Sequence, residues 1–292
     1  MNPINAPLVT VYIPTYNRAS MVVNSIESVI NQSYSNIEII VVNDNSVDNT
    51  KQVLSKYLKL NNFIYIENIE RLGACASRNK AIFAANGELI TGLDDDDLFK
   101  SERIKELVLA FNKMDVSCIA TCTTERTQIG DIERTFECGE ITLNKLLHHN
   151  SLGNQVLTKT DFLKQIGGFD QAMPAFQDYD TWVRLINEFG VAYKIKSCSY
   201  IWNTAHNIER ISTNKNSVRN GFDAFYEKHM SKMTSAHNNT YQVLKLRLYD
   251  EDFSFLDFIK YTRNYNWKQS TTLFIKNNIP KLSSLIHRLR AK

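Results

Sequence analysis

Four consecutive aspartates, Asp94 to Asp97, follow directly on an apolar stretch at residues 89–93. Adjoining carboxylates repel one another, so a fold that gathers them at the end of a strand needs positive charge there, and a divalent cation is the simplest source. Acidic runs are more often solvated loop surface. Here the run lies between an apolar strand pattern and a helical pattern at residues 100–108, and that position favours a cation site.

The chain around this run alternates short apolar strand patterns with helical patterns. Such alternation predicts an α/β fold with a Rossmann-like, mainly parallel central sheet flanked by helices. Ligands of such sheets bind beyond the carboxyl ends of the strands. Polar residues follow the first, second and fourth predicted strands, so we expect these three strand exits to converge on one crevice. The predicted strands cover residues 8–13, 37–42, 63–66 and 88–93, and the helices between them cover residues 20–31, 48–58 and 74–85.

The pattern becomes less regular after the first hundred residues, and only helical patterns follow residue 216. We therefore expect one α/β domain over residues 1–215 and a helical, basic extension over residues 216–292. Further strands are predicted at residues 116–123 and 154–158, and further helices at residues 143–149 and 178–189.

Composition and missing motifs exclude several classes of protein. A chain of 292 residues that is 43% hydrophobic and 22% charged is typical of a folded globular protein. No apolar run approaches the roughly 20 residues that span a bilayer. Five cysteines without Cys-x-x-Cys spacing, and no N-terminal signal pattern, predict a cytoplasmic protein with reduced thiols. The first strand exit lacks the glycine motifs of dehydrogenases and ATPases.

Two residues at the strand exits can contact a nucleotide. Tyr16, close after Pro14, can offer a ring face to a planar base, although a tyrosine at a strand end more often serves packing. Asp44 can accept a hydrogen bond from an imide N–H or a ribose hydroxyl, or can instead cap a local turn with Asn45 and Ser46.

Six motifs, in this order along the chain, resemble those of the family 2 inverting glycosyltransferases of the bacterial O-antigen and capsule type. The resemblance covers roughly residues 7–212, and it implies the GT-A fold for the first domain. The motifs are Pro-Thr-Tyr-Asn-Arg (14–18), Val-Val-Asn-Asp-Asn-Ser (41–46), Gly-Ala-Cys-Ala-Ser-Arg-Asn (73–79), Leu-Asp-Asp-Asp-Asp (93–97), Gly-Gly-Phe-Asp (167–170) and Asp-Tyr-Asp-Thr-Trp-Val-Arg (178–184).

The resemblance implies a role for each matching residue in binding a UDP-sugar. Tyr16 would stack on uracil, Asp44 would bind its imide edge, and Arg78 would lie near the base and the diphosphate. In the Asp-x-Asp motif, Asp94 would contact the ribose and Asp95 the donor hydroxyls. The donor-binding residues so implied are Pro14, Tyr16, Asn17, Arg18, Asp44, Arg78, Asp94, Asp95 and Arg210.

The resemblance also implies a metal ion and a catalytic base. Asp96 would bind Mn²⁺ or Mg²⁺, His206 is a candidate second ligand, and Asp97 is expected to cap the following helix. The family usually places a Glu-Asp pair at the start of the helix over residues 178–189. Here the pair is Gln177-Asp178, so the base is assigned to Asp178, with Asp180 as an alternative; an aspartate there can also be a simple helix cap.

The last forty residues are strongly basic. Residues 253–292 hold eight lysines and arginines against one acid, Asp257, and interleave them with aromatic residues. Such a segment suits the anionic inner leaflet of a membrane, which would make the protein peripheral there. Helices that pack on the catalytic domain with a solvated basic face are an equal alternative. Nucleic acid is disfavoured as a partner, because the remainder of the chain is acidic.

These expectations combine into one predicted function. The chain is predicted to be a metal-dependent inverting hexosyltransferase that moves glucose or galactose from a UDP-sugar to a hydroxyl of a lipid-linked glycan in surface polysaccharide synthesis. A nucleotidyltransferase that acts on sugar phosphates also gathers carboxylates around a metal, but it usually begins with a glycine-rich basic loop. A non-catalytic sugar-nucleotide or glycan-binding protein would need neither Asp96 nor Asp178.

Overall fold

The computed structural model of the chain describes residues 6–135, 137–205, 214–279 and 281–282. The chain forms two compact units. The first comprises residues 1–146, 150–173 and 177–209, and the second comprises residues 147–149, 174–176 and 210–292. Two short segments earlier in the chain thus belong to the second unit.

The first half of the first unit is a parallel sheet with helical connections, as predicted. Its strands lie in the order β3-β2-β1-β4, and all three neighbouring pairs are parallel. Strands β1 and β2 are buried along their whole length, which explains their near-continuous apolar sequences. The elements are β1 (Val9–Thr15), α1 (Ala19–Ile30), β2 (Ile37–Asn43), α2 (Thr50–Leu54), β3 (Phe63–Glu67), α3 (Ala74–Ala84) and β4 (Leu89–Gly92).

The second half extends the same sheet in mixed directions, to ten strands among the described residues. Strand β9 lies antiparallel between β4 and β6, and the long strand β10 pairs in parallel with β6. The elements are β5 (Leu98–Phe99), α4 (Arg103–Phe111), β6 (Cys118–Thr127), β7 (Gly130–Arg134), β8 (Gly139–Ile141), α5 (Leu143–Leu146), β9 (Leu157–Lys159), α6 (Thr160–Gln165), α7 (Gln177–Phe189) and β10 (Ala192–Asn203).

The predicted helix cap at Asp97 is wrong. Helix α4 begins at Arg103 with Glu102 before it, five residues beyond Asp97. The Asp97 carboxylate instead accepts hydrogen bonds from the Tyr200 hydroxyl at 2.7 Å and from the Asn203 N–H at 2.9 Å. Asp97 therefore fastens the acidic loop to β10, a strand that the sequence patterns did not predict.

The second unit is helical, as predicted for the C-terminal extension. A small apolar core in it contains Val243, Phe253 and Leu273. Within the described parts of the chain, no helix is both long and apolar enough to cross a membrane. The helices are α8 (Lys215–His229), α9 (Ser235–Leu248), α10 (Phe255–Tyr261) and α11 (Trp267–Asn278).

Asn79 on α3 fixes the turn that precedes α7. Its side-chain amide donates to the Phe169 carbonyl at 2.8 Å, and its carbonyl oxygen accepts from the Phe169 N–H at 2.7 Å. The neighbouring Gly168 has φ +68°, and a Cβ there would lie 2.3 Å from the Asn79 side-chain oxygen. Only glycine allows this close approach in a left-handed conformation.

Replacing Asn79 with alanine should lower the free energy of unfolding by about 2–6 kcal/mol, because two buried backbone groups lose their partners at about 1–3 kcal/mol each. Urea denaturation measures the change. Asn112→Ala, at an exposed position after α4, is the control and should change stability by less than about 0.5 kcal/mol. Equal losses in both variants would contradict this role of Asn79.

Candidate active site

Two arginines from different elements pair with the acidic run. Arg18, which follows β1, places Nη1 2.7 Å from Asp95 Oδ1 and 3.1 Å from Asp96 Oδ2. Arg78, on α3, places Nη2 2.8 Å from Asp94 Oδ1. The exits of β1 and β4 therefore converge, as expected, and they do so through ion pairs.

The four aspartates have different surroundings. The side chain of Asp94 is 23% exposed, against 7% for Asp95 and 8% for Asp96. Burial raises the pKa of Asp95 to about 6, although Arg18 opposes the shift. Burial also raises the pKa of Asp97, with the charges of Asp94 and Asp96 acting in the same direction. Asp94 is thus the carboxylate that solvent reaches most easily.

The exit of β2 is joined to that of β1 by Asn17 and Ser46. The Asn17 N–H donates to Ser46 Oγ at 2.9 Å, and Asn17 Oδ1 accepts from the Val47 N–H at 2.8 Å. Asn17 reaches both partners from a left-handed conformation with φ +52°. Pro14, by contrast, is buried inside β1 beside Val42.

Asp44 binds the loop before α3 and not its own turn. Its Oδ1 accepts from Asn68 Nδ2 at 2.6 Å and from the Leu72 N–H at 2.9 Å, and its Oδ2 accepts from the Gly73 N–H at 2.8 Å. Burial opposes ionisation, but these hydrogen bonds outweigh it and hold the pKa of Asp44 below its usual value. Asp44 is therefore an anion that orders the loop at the start of α3.

One face of Tyr16 is already covered. The guanidinium carbon of Arg71 lies 4.2 Å from the centroid of the Tyr16 ring, a cation–π contact. Arg71 is exposed and Tyr16 is half-buried. A planar base can stack on this face of Tyr16 only if Arg71 moves aside.

Arg78 lies between the acidic run and α7. Besides its ion pair with Asp94, its Nη1 donates to Gln177 Oε1 at 3.1 Å, and its guanidinium carbon lies 5.1 Å from the Phe169 ring centroid. The neutral Gln177 leaves Asp94 as the partner that carries the opposite charge. Arg78 thereby connects the exit of β4 with the first turn of α7.

Asp178 is the carboxyl group on α7 that faces this network. Burial raises its pKa to about 6, although the Tyr179 N–H and the charge of Arg78 lower it. Asn150 Nδ2 donates to Asp178 Oδ2 at 3.1 Å. The alternative, Asp180, is fully buried and accepts from Arg184 Nε at 2.9 Å. Asp178 is therefore the better placed of the two to exchange a proton.

Sequence patterns missed three residues that position these carboxylates: Tyr12, Asn150 and Gln155. The Tyr12 hydroxyl donates to Gln155 Oε1 at 2.9 Å, and Gln155 Nε2 lies 3.4 Å from Asp94 Oδ1. A Cβ at Gly92 would lie 2.1 Å from Gln155 Oε1 and 2.5 Å from the Tyr12 ring. A glycine inside a strand pattern often marks such a close approach, so Gly92 was the available signal.

The metal assignment rests on oxygen ligands. Asp96 offers carboxylate oxygens, which suit a hard cation such as Mn²⁺ or Mg²⁺. In the described part of the chain, no three His, Cys, Asp or Glu side chains are grouped so that they could hold a metal by themselves. The two remaining candidates, His206 and Arg210, lie outside the described residues.

Residues 10–162 match the family model described as Glycosyl transferase family 2. The candidate colanic acid biosynthesis glycosyl transferase WcaA of Escherichia coli K12 is 32% identical over 251 residues, which cover 83% of this chain and 88% of WcaA.

Two solved structures have a similar fold. TarS 1–349 from S. aureus in complex with UDP-GlcNAc matches with a TM-score of 0.67 and 19% identity, over 97% of this chain and 87% of that chain. The mannosyltransferase PcManGT from Pyrobaculum calidifontis, in complex with GDP-Man and Mn²⁺, matches with a TM-score of 0.61 and 16% identity, over 99% of this chain and 81% of that chain. At such identities the likeness concerns the fold alone.

Because its pKa is raised to about 6, ionised Asp178 should lower the free energy of unfolding once the pH exceeds that value. An aspartate whose pKa rises on folding stabilises the fold below its unfolded value, and this stability is lost as the pH rises through about 6. Asp178→Asn should therefore match the wild type near pH 4 and exceed its unfolding free energy by about 1–3 kcal/mol at pH 8. Thermal unfolding across this pH range measures the difference. Asp115→Asn, at an exposed position, is the control and should change the unfolding free energy by less than about 0.5 kcal/mol across this range. If the gain in unfolding free energy of Asp178→Asn does not depend on pH, the raised pKa of Asp178 is wrong.

Proposed function

The chain belongs to glycosyltransferase family 2, and from this premise we propose that it is an inverting, metal-assisted hexosyltransferase that uses a UDP-sugar to extend a lipid-linked glycan. The α/β fold of the first unit is that of the GT-A glycosyltransferases, with added C-terminal helices. The observation that carries the proposal is the connection of Asp94, through Arg78, to Gln177, the first residue of the helix α7 that carries Asp178.

The donor would bind along the exits of β1, β2 and β4. TarS, which shares the fold, binds UDP-GlcNAc. Asp44 Oδ2 accepts one hydrogen bond from Gly73 N–H and can accept another from an imide edge. The base would stack on Tyr16 once Arg71 moves away, and Asp94, the most exposed carboxylate of the three at the loop, would contact the ribose. UDP-glucose and UDP-galactose are the first donors to test.

The metal would be held by Asp96 together with diphosphate oxygens, and His206 is its proposed second ligand. When bound, a hard cation neutralises the charge that develops on the diphosphate as the glycosidic bond breaks. Arg18 already contacts Asp96 through a single 3.1 Å ion pair, so it would share that carboxylate with the cation. Arg210 would add positive charge near the diphosphate.

Asp178 would act as the base. The acceptor oxygen attacks the anomeric carbon, its proton passes to the Asp178 carboxylate, and UDP leaves from the opposite face, so that an α-linked donor yields a β-linked product. A pKa of about 6 leaves this carboxylate mostly ionised at pH 7, yet basic enough to accept a proton in the transition state. Asn150 would orient the carboxylate through its 3.1 Å hydrogen bond.

The acceptor class is inferred from a relative. WcaA is named for colanic acid biosynthesis. Because colanic acid is a polysaccharide, this likeness favours a lipid-linked glycan as the acceptor for this chain. O-antigen and capsule synthesis are the corresponding processes. Membership of the family argues against the nucleotidyltransferase and the non-catalytic alternatives.

The proposal is tested by measuring nucleotide release from a panel of UDP-sugars, with GDP-mannose as the comparison, in the presence of lipid-diphosphate glycans. Release should require a UDP-sugar, an acceptor and Mn²⁺ or Mg²⁺. Preference for GDP-mannose would overturn the donor assignment, and full activity in EDTA would overturn the metal assignment. Release without an acceptor would indicate hydrolysis and not transfer.

Asp178→Asn should lower kcat by about 10²–10⁴-fold, since it removes the general base, while the Kd for the UDP-sugar stays within about threefold of wild type. Titration calorimetry and initial rates measure the two quantities. Asp180→Asn is the matched variant on the same helix, and it should affect stability more than kcat because Asp180 pairs with Arg184. A near-normal kcat for Asp178→Asn would move the base elsewhere.

Asp96→Ala should abolish both Mn²⁺ binding in the presence of UDP and metal-dependent transfer. Mn²⁺ binding is followed by electron paramagnetic resonance, which does not depend on turnover. Asp95→Asn is the control, because Asp95 contacts the same Arg18 nitrogen but is not assigned to the metal. If Asp95→Asn loses Mn²⁺ and Asp96→Ala retains it, the two roles are exchanged.

A further inference from the structure

Helix α10 in the second unit has two apolar faces. Phe258 and Tyr261 pack on the small core around Val243, Phe253 and Leu273. On the other side, Leu256 and Ile259 are 76% and 59% exposed, and Phe255, at the boundary, is 61% exposed while its ring centroid lies 6.1 Å from that of Phe274. One side of α10 is therefore packed in the second unit, and the other side is exposed.

The outward residues form a compact group. Phe255, Leu256 and Ile259 lie at relative positions 0, 1 and 4 of the helix, which places them side by side on its surface. Tyr265 and Trp267 follow four and six residues after the end of α10 at Tyr261, and they are 50% and 53% exposed. Large exposed apolar groups of this kind mark interaction sites more often than bare solvent-facing surface.

Basic residues accompany this apolar group. Lys260, Arg263 and Lys268 are exposed, and the Lys268 ammonium lies 5.7 Å from the Trp267 ring centroid. Asp257, the single acid between residues 253 and 282, is engaged at the start of α10, where its carboxylate accepts from the Ser254 N–H at 3.0 Å and from the Ser254 hydroxyl at 2.6 Å. Lys260, four residues after Leu256 on the same helix, therefore places a positive charge beside the exposed apolar residues.

We propose that the exposed face of α10, formed by Phe255, Leu256 and Ile259 with the adjacent Lys260, docks on the surface of an anionic lipid bilayer together with Lys268 at the start of α11. Apolar side chains enter the boundary between headgroups and acyl chains, while lysines remain at the phosphates. Trp267 and Tyr265 have the amphipathic rings that favour this boundary. A second copy of the chain fits less well, because the cores of protein interfaces are depleted in lysine.

Membrane docking by α10 is a separate property from the proposed glycosyl transfer, and the two can be tested independently. Docking would bring the enzyme to the membrane in which a lipid-linked acceptor resides. Vesicle binding needs neither donor nor acceptor, so its failure would leave the proposed transfer untouched. Deletion of the whole extension is a poor test, because Phe253 and Leu273 belong to the core of the second unit.

The test is flotation of the full chain with vesicles of phosphatidylcholine containing either no phosphatidylglycerol or a substantial fraction of it. The wild type should float with the anionic vesicles only. The double variant Leu256→Glu/Ile259→Glu should lose binding by about tenfold or more, since two exposed apolar contacts are removed. Lys260→Gln/Lys268→Gln should lose about fivefold for each lysine.

Ile129→Glu is the matched control, because Ile129 is 93% exposed in the first unit and should leave flotation unchanged. Circular dichroism of each variant checks that the helices remain. Wild-type binding to neutral and anionic vesicles alike, or unchanged flotation of both double variants, would overturn the proposal. A wild-type dimer in light scattering that Leu256→Glu/Ile259→Glu dissociates, with no vesicle binding, would assign the surface to a second copy instead.

Discussion

Arg18 and Arg78 supply the positive charge that lets three carboxylates lie side by side at the end of β4. Two like charges 4 Å apart repel by about 4 kcal/mol at an effective dielectric constant of 20, so the loop cannot keep this geometry without them. Arg18 takes Asp95 and Asp96, and Arg78 takes Asp94. Arg18 follows β1 and Arg78 lies on α3. These ion pairs therefore also connect the exit of β1 and helix α3 with the acidic loop.

Asp97, the fourth carboxylate of the run, is stabilised by hydrogen bonds and not by an arginine in the ion pairs described above. Its carboxylate accepts hydrogen bonds from the Tyr200 hydroxyl and the Asn203 N–H on β10. This contact attaches the acidic loop to the second half of the sheet, where β10 pairs with β6. Four identical residues thus take three structural roles, and the difference comes from which neighbour reaches each one, not from their position in the sequence motif.

The sequence predicted the first half of the fold well because parallel strands buried on both faces have continuous apolar sequences, as in β1 and β2. It failed for β10, whose lysines at 194 and 196 interrupt the apolar pattern and whose pairing with β6 shifts register between Ile195 and Tyr200. Strand β7 is exposed throughout and carries no apolar pattern. The roles of Tyr12 and Gln155 depend on a contact across 143 positions of the chain, which no local pattern can indicate.

The amide of Gln177 matters for the same electrostatic reason. It accepts a hydrogen bond from Arg78 at 3.1 Å without adding a negative charge. The positive charge of Arg78 is therefore balanced by Asp94 and by the nearby Asp178, and not by residue 177. A glutamate at this position would pair with Arg78 and place one more anion beside Asp178, and both effects would raise the pKa of Asp178 further. Compared with a Glu-Asp pair, the Gln-Asp pair therefore keeps the carboxylate of Asp178 more ionised near neutral pH. In return, residue 177 binds Arg78 through a neutral hydrogen bond and not through an ion pair.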